Sequence, residues 1–163
     1  GRSSQRVSSQ TILHRAVNEN DNRDTEHTER ERQVNMSDMT TKILVVDDSS
    51  TMRRILRATL MRIGFKDVTE AANGAEALVK CSEAQFEIVL TDWNMPEVDG
   101  LELTIKLRQK DSYKKVPIMM VTTEGGKQDV VEALMQGVSS YIVKPFTADV
   151  LKAKMSDLLS LDD

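Results

Sequence analysis

From Lys42 onward, short apolar segments alternate regularly with segments of helical periodicity. The apolar segments are rich in β-branched residues and too short for helices, so each one indicates a buried strand. Strands that alternate with helices over short connections form a parallel sheet, joined by right-handed crossovers and covered by helices on both faces. The predicted strands are residues 43–46, 67–71, 86–90, 116–122 and 139–143, and the predicted helices are about 50–63, 74–84, 101–109, 124–136 and 148–159.

This pattern predicts an α/β fold of the flavodoxin-like type, a doubly wound (βα)5 unit around a five-stranded parallel sheet. The expected strand order is 2-1-3-4-5, although periodicity alone does not determine it. Residues 42–161 are predicted to form this single domain. Residues 1–41 are predominantly polar and cannot bury enough apolar surface to offset the entropy of ordering them. They are therefore expected to be a disordered tail, derived in part from an expression vector.

Capping residues mark the boundaries of the first predicted helix. The pair Ser49–Ser50 offers a suitable N-cap, and Gly64 is a suitable terminator. Arg53–Arg54 is expected on a solvated face of this helix. The opposite face is expected to carry Met52, Ile55, Leu56, Thr59, Leu60 and Ile63.

Polar residues follow or end four of the five predicted strands. The strand of residues 86–90 leads into Asp92, and Pro96 then prevents the strand from continuing, because proline donates no ladder hydrogen bond. The carboxyl ends of parallel strands lie at one edge of the sheet, where an open α/β sheet forms its ligand crevice. We therefore expect three carboxylates, a hydroxyl and an ammonium group to share one site. These residues are Asp47, Asp48, Asp92, Thr122 and Lys144.

This set of residues has a specific chemistry. Neighbouring carboxylates repel one another unless a cation lies between them, and oxygen ligands suit hard divalent cations. Mg²⁺ fits a site with few carboxylates that leaves room for water and phosphate oxygens. A carboxylate beside Mg²⁺ and Lys144 can act as a nucleophile toward phosphorus and form an aspartyl phosphate. The alternative interpretation is that the acidic residues are solvated loop carboxylates and that Lys144 is a surface charge.

Composition narrows the class of function further. The chain has 22 Lys and Arg against 26 Asp and Glu, a net charge of -4, and no basic stripe, which argues against nucleic-acid binding. Its one cysteine, Cys81, cannot form an internal disulfide, so a reducing cytoplasm is the expected location. No apolar run approaches the roughly 18 residues that span a bilayer, so membrane insertion is not expected.

Four stretches resemble the receiver domain of two-component response regulators, most closely the CheY-like chemotaxis regulators. They are LVVDDSSTMRRIL, TDWNMPEVDGLEL, MVTTEGG and YIVKPFTADVL, and the resemblance covers about residues 41–161. It implies that Asp92 is the phosphoacceptor and that Asp48 and Asp92 bind Mg²⁺ directly. It further implies that Asp47 assists through water and that Asn94 contributes its backbone carbonyl to the metal.

The resemblance also implies a conformational switch. Thr122 is expected to hydrogen-bond the phosphoryl group, and Lys144 to pair with it next to a cis bond to Pro145. Tyr141 resembles the aromatic switch residue, which moves inward when Thr122 is drawn toward the phosphate. The phosphoryl group would thereby change the surface of the fourth helix, the fifth strand and the fifth helix.

Three further residues near the predicted site have implied roles. Asn94 and Glu124 resemble positions that tune the rate of dephosphorylation. Trp93 is expected to be half exposed and to report the binding of metal and phosphoryl groups.

The implied function is a phosphoaccepting signalling switch rather than an enzyme. The implied partners are a CheA-like histidine kinase and the flagellar motor switch protein, with a phosphatase as a further candidate, and a monomer is expected. A single-domain phosphotransfer carrier or phosphate sink is the alternative, because it would be phosphorylated equally well yet bind no motor component. A Mg²⁺-dependent phosphohydrolase is a third hypothesis, but such enzymes typically need a DxD spacing, whereas Asp47 and Asp48 are adjacent.

Overall fold

A computed structural model of the chain describes residues 40–160. The predicted tail, apart from Thr40 and Thr41, and the predicted end of the domain at Leu161 lie outside the described residues. The five strands form one parallel sheet in the order β2-β1-β3-β4-β5, which confirms the predicted flavodoxin-like architecture and strand order. The strands are β1 (Lys42–Val46), β2 (Asp67–Ala71), β3 (Ile88–Thr91), β4 (Ile118–Thr122) and β5 (Ser140–Val143).

Five α-helices connect or follow these strands. They are α1 (Ser50–Ile63), α2 (Gly74–Glu83), α3 (Gly100–Arg108), α4 (Lys127–Met135) and α5 (Ala148–Ser160). The side chains of Ser49, Asn73 and Asp99 each accept a hydrogen bond from a backbone N–H in the first turn of the helix that follows. At the end of α1, Gly64 has a φ of 130°, a conformation that glycine adopts without a steric penalty.

The core has two main layers, one on each face of the sheet. Successive side chains of a strand point to opposite faces, so Ile43 and Val45 pack in one layer, and Leu44 and Val46 pack in the other. The first layer contains buried residues of α1 and α5, and the second contains buried residues of α2 and α3. A smaller third cluster joins Ala133 of α4 to β4.

The structure departs from the sequence predictions in α4, in α1 and in the segment before β4. Helix α4 begins at Lys127 rather than at Glu124, because Gly126 is extended, with φ -63° and ψ 144°. Ile55 is 47% exposed, so the buried stripe of α1 is narrower than predicted and centres on Leu56 and Leu60. A 3₁₀ turn at Asp111–Tyr113, which the sequence did not indicate, precedes β4.

None of the helices within residues 40–160 combines the length and the apolar character needed to cross a bilayer.

Candidate functional site

Three carboxylates meet at the carboxyl edge of the sheet. One oxygen atom from each of Asp47, Asp48 and Asp92 lies within 4.8 Å of the others. The backbone explains this convergence, because the Asp47 N–H donates to the Ala71 carbonyl at 3.2 Å and the Asp92 N–H donates to the Val46 carbonyl at 2.9 Å. These bonds extend the sheet by one residue, so the acidic side chains leave the neighbouring strands β1 and β3 at the same level.

Lys144 brings a positive charge to this cluster from β5. Its Nζ lies 2.8 Å from Oδ2 of Asp47 and 3.3 Å from Oδ2 of Asp92. The side chains of Lys144 and Asp92 are 13% and 14% exposed, and that of Asp47 is 1% exposed, so the pairs are largely shielded from water. The Lys144–Pro145 peptide bond is cis, as the resemblance implied. Four of the five predicted strand-end residues are therefore brought together.

The composition of this cluster fits a hard divalent cation. All of its ligand candidates are carboxylate oxygens, and the single ammonium group of Lys144 offsets one of three negative charges. A cation that prefers oxygen ligands would relieve the remaining repulsion, whereas a soft metal would find no thiolate or imidazole among these three residues. Asp47, Asp48 and Asp92 therefore form an acidic pocket that could hold a metal ion.

Thr122, the fifth predicted residue, is fully buried at the end of β4. Its hydroxyl accepts a hydrogen bond from the backbone N–H of Glu124 at 3.3 Å. The Asn94 side-chain amide donates to the Glu124 carboxylate at 3.3 Å and so joins the loop after β3 to the loop after β4. The expected metal contact of the Asn94 carbonyl stays a prediction.

Tyr141 and Trp93 pack together beside these loops. Their rings form an edge-to-face pair with centroids 6.5 Å apart, and the Tyr141 hydroxyl donates to the Glu124 carbonyl. Burial raises the pKa of Tyr141 to about 12, and the negative charges of Asp129, Glu124 and Asp92 act in the same direction. Trp93 is half-buried as expected, and its backbone N–H donates to Oδ1 of Asp92 at 2.7 Å.

Arg53 is a residue whose contacts the sequence did not reveal. It was predicted on a solvated face, yet its side chain is 17% exposed and its Nη1 donates to the Asp47 carbonyl at 2.6 Å. Its Nε lies 3.3 Å from the Glu70 carboxylate. The prediction was wrong for Arg53, whereas Arg54 is exposed as expected. The available signal was the position of Arg53 in the first turn of the helix that follows the acidic pair.

Gly100 is a second residue whose importance emerges only from the structure. Its N–H donates to the Trp93 carbonyl at 2.8 Å, and an added Cβ would lie 2.1 Å from the Asp92 carbonyl oxygen. The start of α3 therefore packs directly against the backbone of Asp92.

Comparison with known proteins agrees with this geometry. The family model for the response regulator receiver domain matches residues 43–156. Chemotaxis protein CheY1 of Helicobacter pylori is 54% identical over 123 residues, which are 75% of this chain and 99% of that protein. A chemotaxis protein CheY homolog of Campylobacter jejuni is 56% identical over 119 residues, 72% of this chain and 92% of that protein. The solved structure of chemotaxis protein CheY4 of Vibrio cholerae is 36% identical, with a TM-score of 0.69 over 72% of this chain and 98% of that one.

Proposed function

This chain belongs to the response regulator receiver family, as a CheY-like regulator of chemotaxis signalling, and we propose that Asp92 accepts a phosphoryl group from a histidine kinase. Phosphorylation would change the surface around α4, β5 and α5 and thereby control binding to the flagellar motor switch protein. A cytoplasmic location and a monomeric state are part of this proposal. Asp47, Asp48 and Asp92 would hold Mg²⁺, with the Asn94 carbonyl as a further ligand.

The observation that carries the proposal is the contact of Lys144 with Asp92 inside the acidic pocket. Phosphoryl transfer depends mainly on positioning and on neutralising the charge that develops on phosphate oxygens. An aspartate held beside an ammonium group and two further carboxylates meets both requirements, since the lysine and a bound cation can face the incoming phosphate together. Bound Mg²⁺ would supply positive charge to the phosphate oxygens.

The residues of this chain have separate tasks in the proposed transfer. A carboxylate oxygen of Asp92 attacks phosphorus, the bond between phosphorus and the donor nitrogen breaks, and the nitrogen leaves with that electron pair and takes up a proton. The Trp93 N–H orients the carboxylate through its bond to Oδ1. Lys144 pairs with the transferred phosphoryl group. No separate general base is assigned, because the attacking group is a carboxylate oxygen rather than a hydroxyl or an amine.

The proposed switch connects Thr122 to Tyr141 through Glu124. The Thr122 hydroxyl and the Tyr141 hydroxyl both contact the backbone of Glu124, one through the N–H and the other through the carbonyl. If Thr122 moves toward a phosphoryl group on Asp92, the Glu124 backbone and the bond to Tyr141 must adjust with it. The phosphoryl group would then favour one of two arrangements, which is a population shift.

The proposed output surface carries apolar side chains that are exposed to solvent. Val131, Leu134 and Met135 of α4 and Val143 of β5 are all exposed, and Met135 is 80% exposed. Exposed apolar groups of this kind support a protein-binding role for this face.

The proposal is tested by intact mass after incubation with acetyl phosphate and Mg²⁺. We expect the mass of one added phosphoryl group, lost in Asp92→Asn and in the presence of EDTA. Asp99→Asn is a matched control, because Asp99 follows the same strand but caps α3. The absence of any mass increase in the unmodified chain would contradict the proposal.

Binding to the motor switch protein distinguishes the proposed function from the alternative of a phosphotransfer carrier or phosphate sink. Purified motor switch protein should retain the phosphorylated chain and release the unphosphorylated one. Phosphorylation without any change in this binding would favour the carrier.

A further inference from the structure

The backbone peptide between Asp47 and Asp48 carries two of the three carboxylates of the acidic pocket on either side of it. Its carbonyl oxygen, which belongs to Asp47, accepts the 2.6 Å hydrogen bond from Nη1 of Arg53. The orientation of this rigid peptide sets the direction in which the Asp48 side chain leaves the backbone, because the φ and ψ rotations of Asp48 begin directly after the peptide. Arg53 therefore contacts the peptide group that links Asp47 to Asp48 and sets the relative orientation of their side chains.

The other polar atoms of Asp47 are held by different parts of the chain. Its N–H donates to Ala71, its Oδ1 accepts from the Ser49 N–H at 2.9 Å, and its Oδ2 pairs with Lys144. These three bonds fix the backbone N–H and both carboxylate oxygens of Asp47. The bond to Arg53 adds what they do not provide, a fixed direction for the Asp47 carbonyl and hence for Asp48.

Arg53 is itself held in place from β2. Its Nε lies 3.3 Å from Oε1 of Glu70, and Oε2 of Glu70 accepts from Nη1 of Arg57 at 3.1 Å. Glu70 pairs with Val45 in the sheet, two residues before Asp47. Because a guanidinium group is planar and donates in fixed directions, the contact with Glu70 aims Nη1 at the carbonyl. The side chain of Arg53 is 17% exposed, whereas that of Arg57, the second partner of Glu70, is 48% exposed.

We propose that Arg53 is a positioning residue for the metal site, which holds the Asp47–Asp48 peptide so that both carboxylates converge with Asp92. This inference rests on the proposed function, because it assigns a role in Mg²⁺ binding. Arg53 does not touch the metal ligands' carboxylate oxygens and acts only through the peptide. Partners that hold metal ligands in orientation affect metal affinity although they lie outside the ligand set.

The experiment compares Arg53→Met with Arg57→Met. Both substitutions remove one positive charge next to Glu70, but only the first removes the hydrogen bond to Asp47. Mg²⁺ alone is titrated into each protein, with the fluorescence of Trp93 as the readout. Removing a positive charge by itself should strengthen the binding of a cation. Weaker Mg²⁺ binding by Arg53→Met therefore cannot come from the loss of charge and would reflect the loss of the hydrogen bond to Asp47. We expect the Kd for Mg²⁺ to rise about tenfold in Arg53→Met, and we expect no rise in Arg57→Met.

A second readout needs no metal. In EDTA, the Ser49 N–H should exchange with solvent faster in Arg53→Met than in Arg57→Met, because the turn that presents it to Oδ1 of Asp47 loses its support. The conservative variant Arg53→Lys retains a charge and a donor and should recover part of the Mg²⁺ affinity. Circular dichroism establishes that each variant is folded at the temperature of the titration.

The outcomes separate the inference from the proposed function. If the unmodified chain shows no saturable response to Mg²⁺, the proposed function fails. If the unmodified chain binds Mg²⁺ but Arg53→Met and Arg57→Met have equal affinities and equal exchange rates, the positioning role is overturned. If Arg53→Met does not fold, Arg53→Lys is compared with Arg57→Lys in the same two assays, and equal values for that pair overturn the inference.

Discussion

Nζ of Lys144 lies 2.8 Å from Oδ2 of Asp47, and this ion pair joins residues that are 97 positions apart in the chain. Asp47 follows β1 and Lys144 follows β5, so neither side chain has a local reason to contact the other. The pair forms because β1, β3, β4 and β5 are parallel and end at one edge. The same geometry brings Asp92 within 3.3 Å of Lys144.

Substitution of Lys144 by methionine should slow phosphorylation of Asp92. Removal of one charged donor that faces the developing charge typically costs about 10²-fold in rate. The measurement is a time course of intact mass with acetyl phosphate at saturating Mg²⁺. Lys152→Met, on the exposed side of α5, is the control. Equal phosphorylation rates for Lys144→Met and Lys152→Met would show that Lys144 does not contribute to the transfer step.

Substitution of Asp48 by asparagine should raise the melting temperature in EDTA and abolish stabilisation by Mg²⁺. Two carboxylates repel one another less than three, whereas the metal loses a charged ligand. If the unmodified chain binds Mg²⁺, a concentration of 100 times the Kd would stabilise it by about 2.7 kcal/mol. Thermal unfolding with EDTA and with Mg²⁺ measures both effects. Asp157→Asn on α5 makes the same charge change far along the chain and should retain the response to Mg²⁺.

Ionisation of the two tyrosines should require strongly alkaline pH. Burial is the main cause that raises the pKa values of Tyr113 and Tyr141 to about 12, against 10.0 for a free tyrosine. A raised folded-state pKa stabilises the fold fully below pH 10, and this contribution is lost as the pH rises from 10 toward 12. The ultraviolet absorbance of tyrosinate measures the titration, with Tyr113→Phe and Tyr141→Phe to separate the two groups. Native and urea-unfolded chains that titrate at the same pH would contradict this assignment.

Substitution of Arg108 by methionine should destabilise the fold by about 2–4 kcal/mol. Its guanidinium donates to the carbonyls of Tyr113, Val116 and Gly137, and these acceptors would lose a charged partner. Burial lowers the pKa of Arg108 from its ordinary value of 12.5, but the group remains charged at neutral pH. Urea unfolding measures the loss, with the exposed Lys106→Met on the same helix as the control. Equal urea midpoints for Arg108→Met and Lys106→Met would show that the hydrogen bonds of Arg108 contribute little to the free energy of unfolding.

Substitution of Gly100 by alanine should lower both stability and phosphorylation. The added Cβ would meet the Asp92 carbonyl at 2.1 Å, so the start of α3 or the phosphoacceptor segment must shift, at a cost of roughly 1–3 kcal/mol. In the control Gly126→Ala, the nearest atom is the mobile carboxylate of Asp129 at 3.0 Å. Unfolding and the acetyl phosphate assay are measured on both variants. Unchanged phosphorylation in Gly100→Ala would mean that the Asp92 segment tolerates the shift.

Local patterns in the sequence were sufficient to predict the elements of the fold. Alternating apolar runs and capping residues such as Ser49 and Asn73 act over a few positions, and the strand and helix boundaries followed within a few residues. The late start of α4, at Lys127 rather than at Glu124, is the largest difference among the helix starts. Two adjacent glycines allow several backbone conformations. A Cβ added at Gly125 would lie 3.0 Å from the side chain of Val143 of β5, and this close approach exists only in the folded chain.

The sequence by itself determined which residue types stand at the ends of the strands, and with them the acidic pocket, because strand direction in a parallel sheet places all such ends on one edge. Only the tertiary structure decided which partners these residues take. The bond from Arg53 to the Asp47 carbonyl, the approach of Gly100 to Asp92, and the contacts of Arg108 with Val116 and Gly137 depend on how helices lie against the sheet. Those positions are set by packing between residues far apart in the chain, and periodicity within one segment carries no information about them.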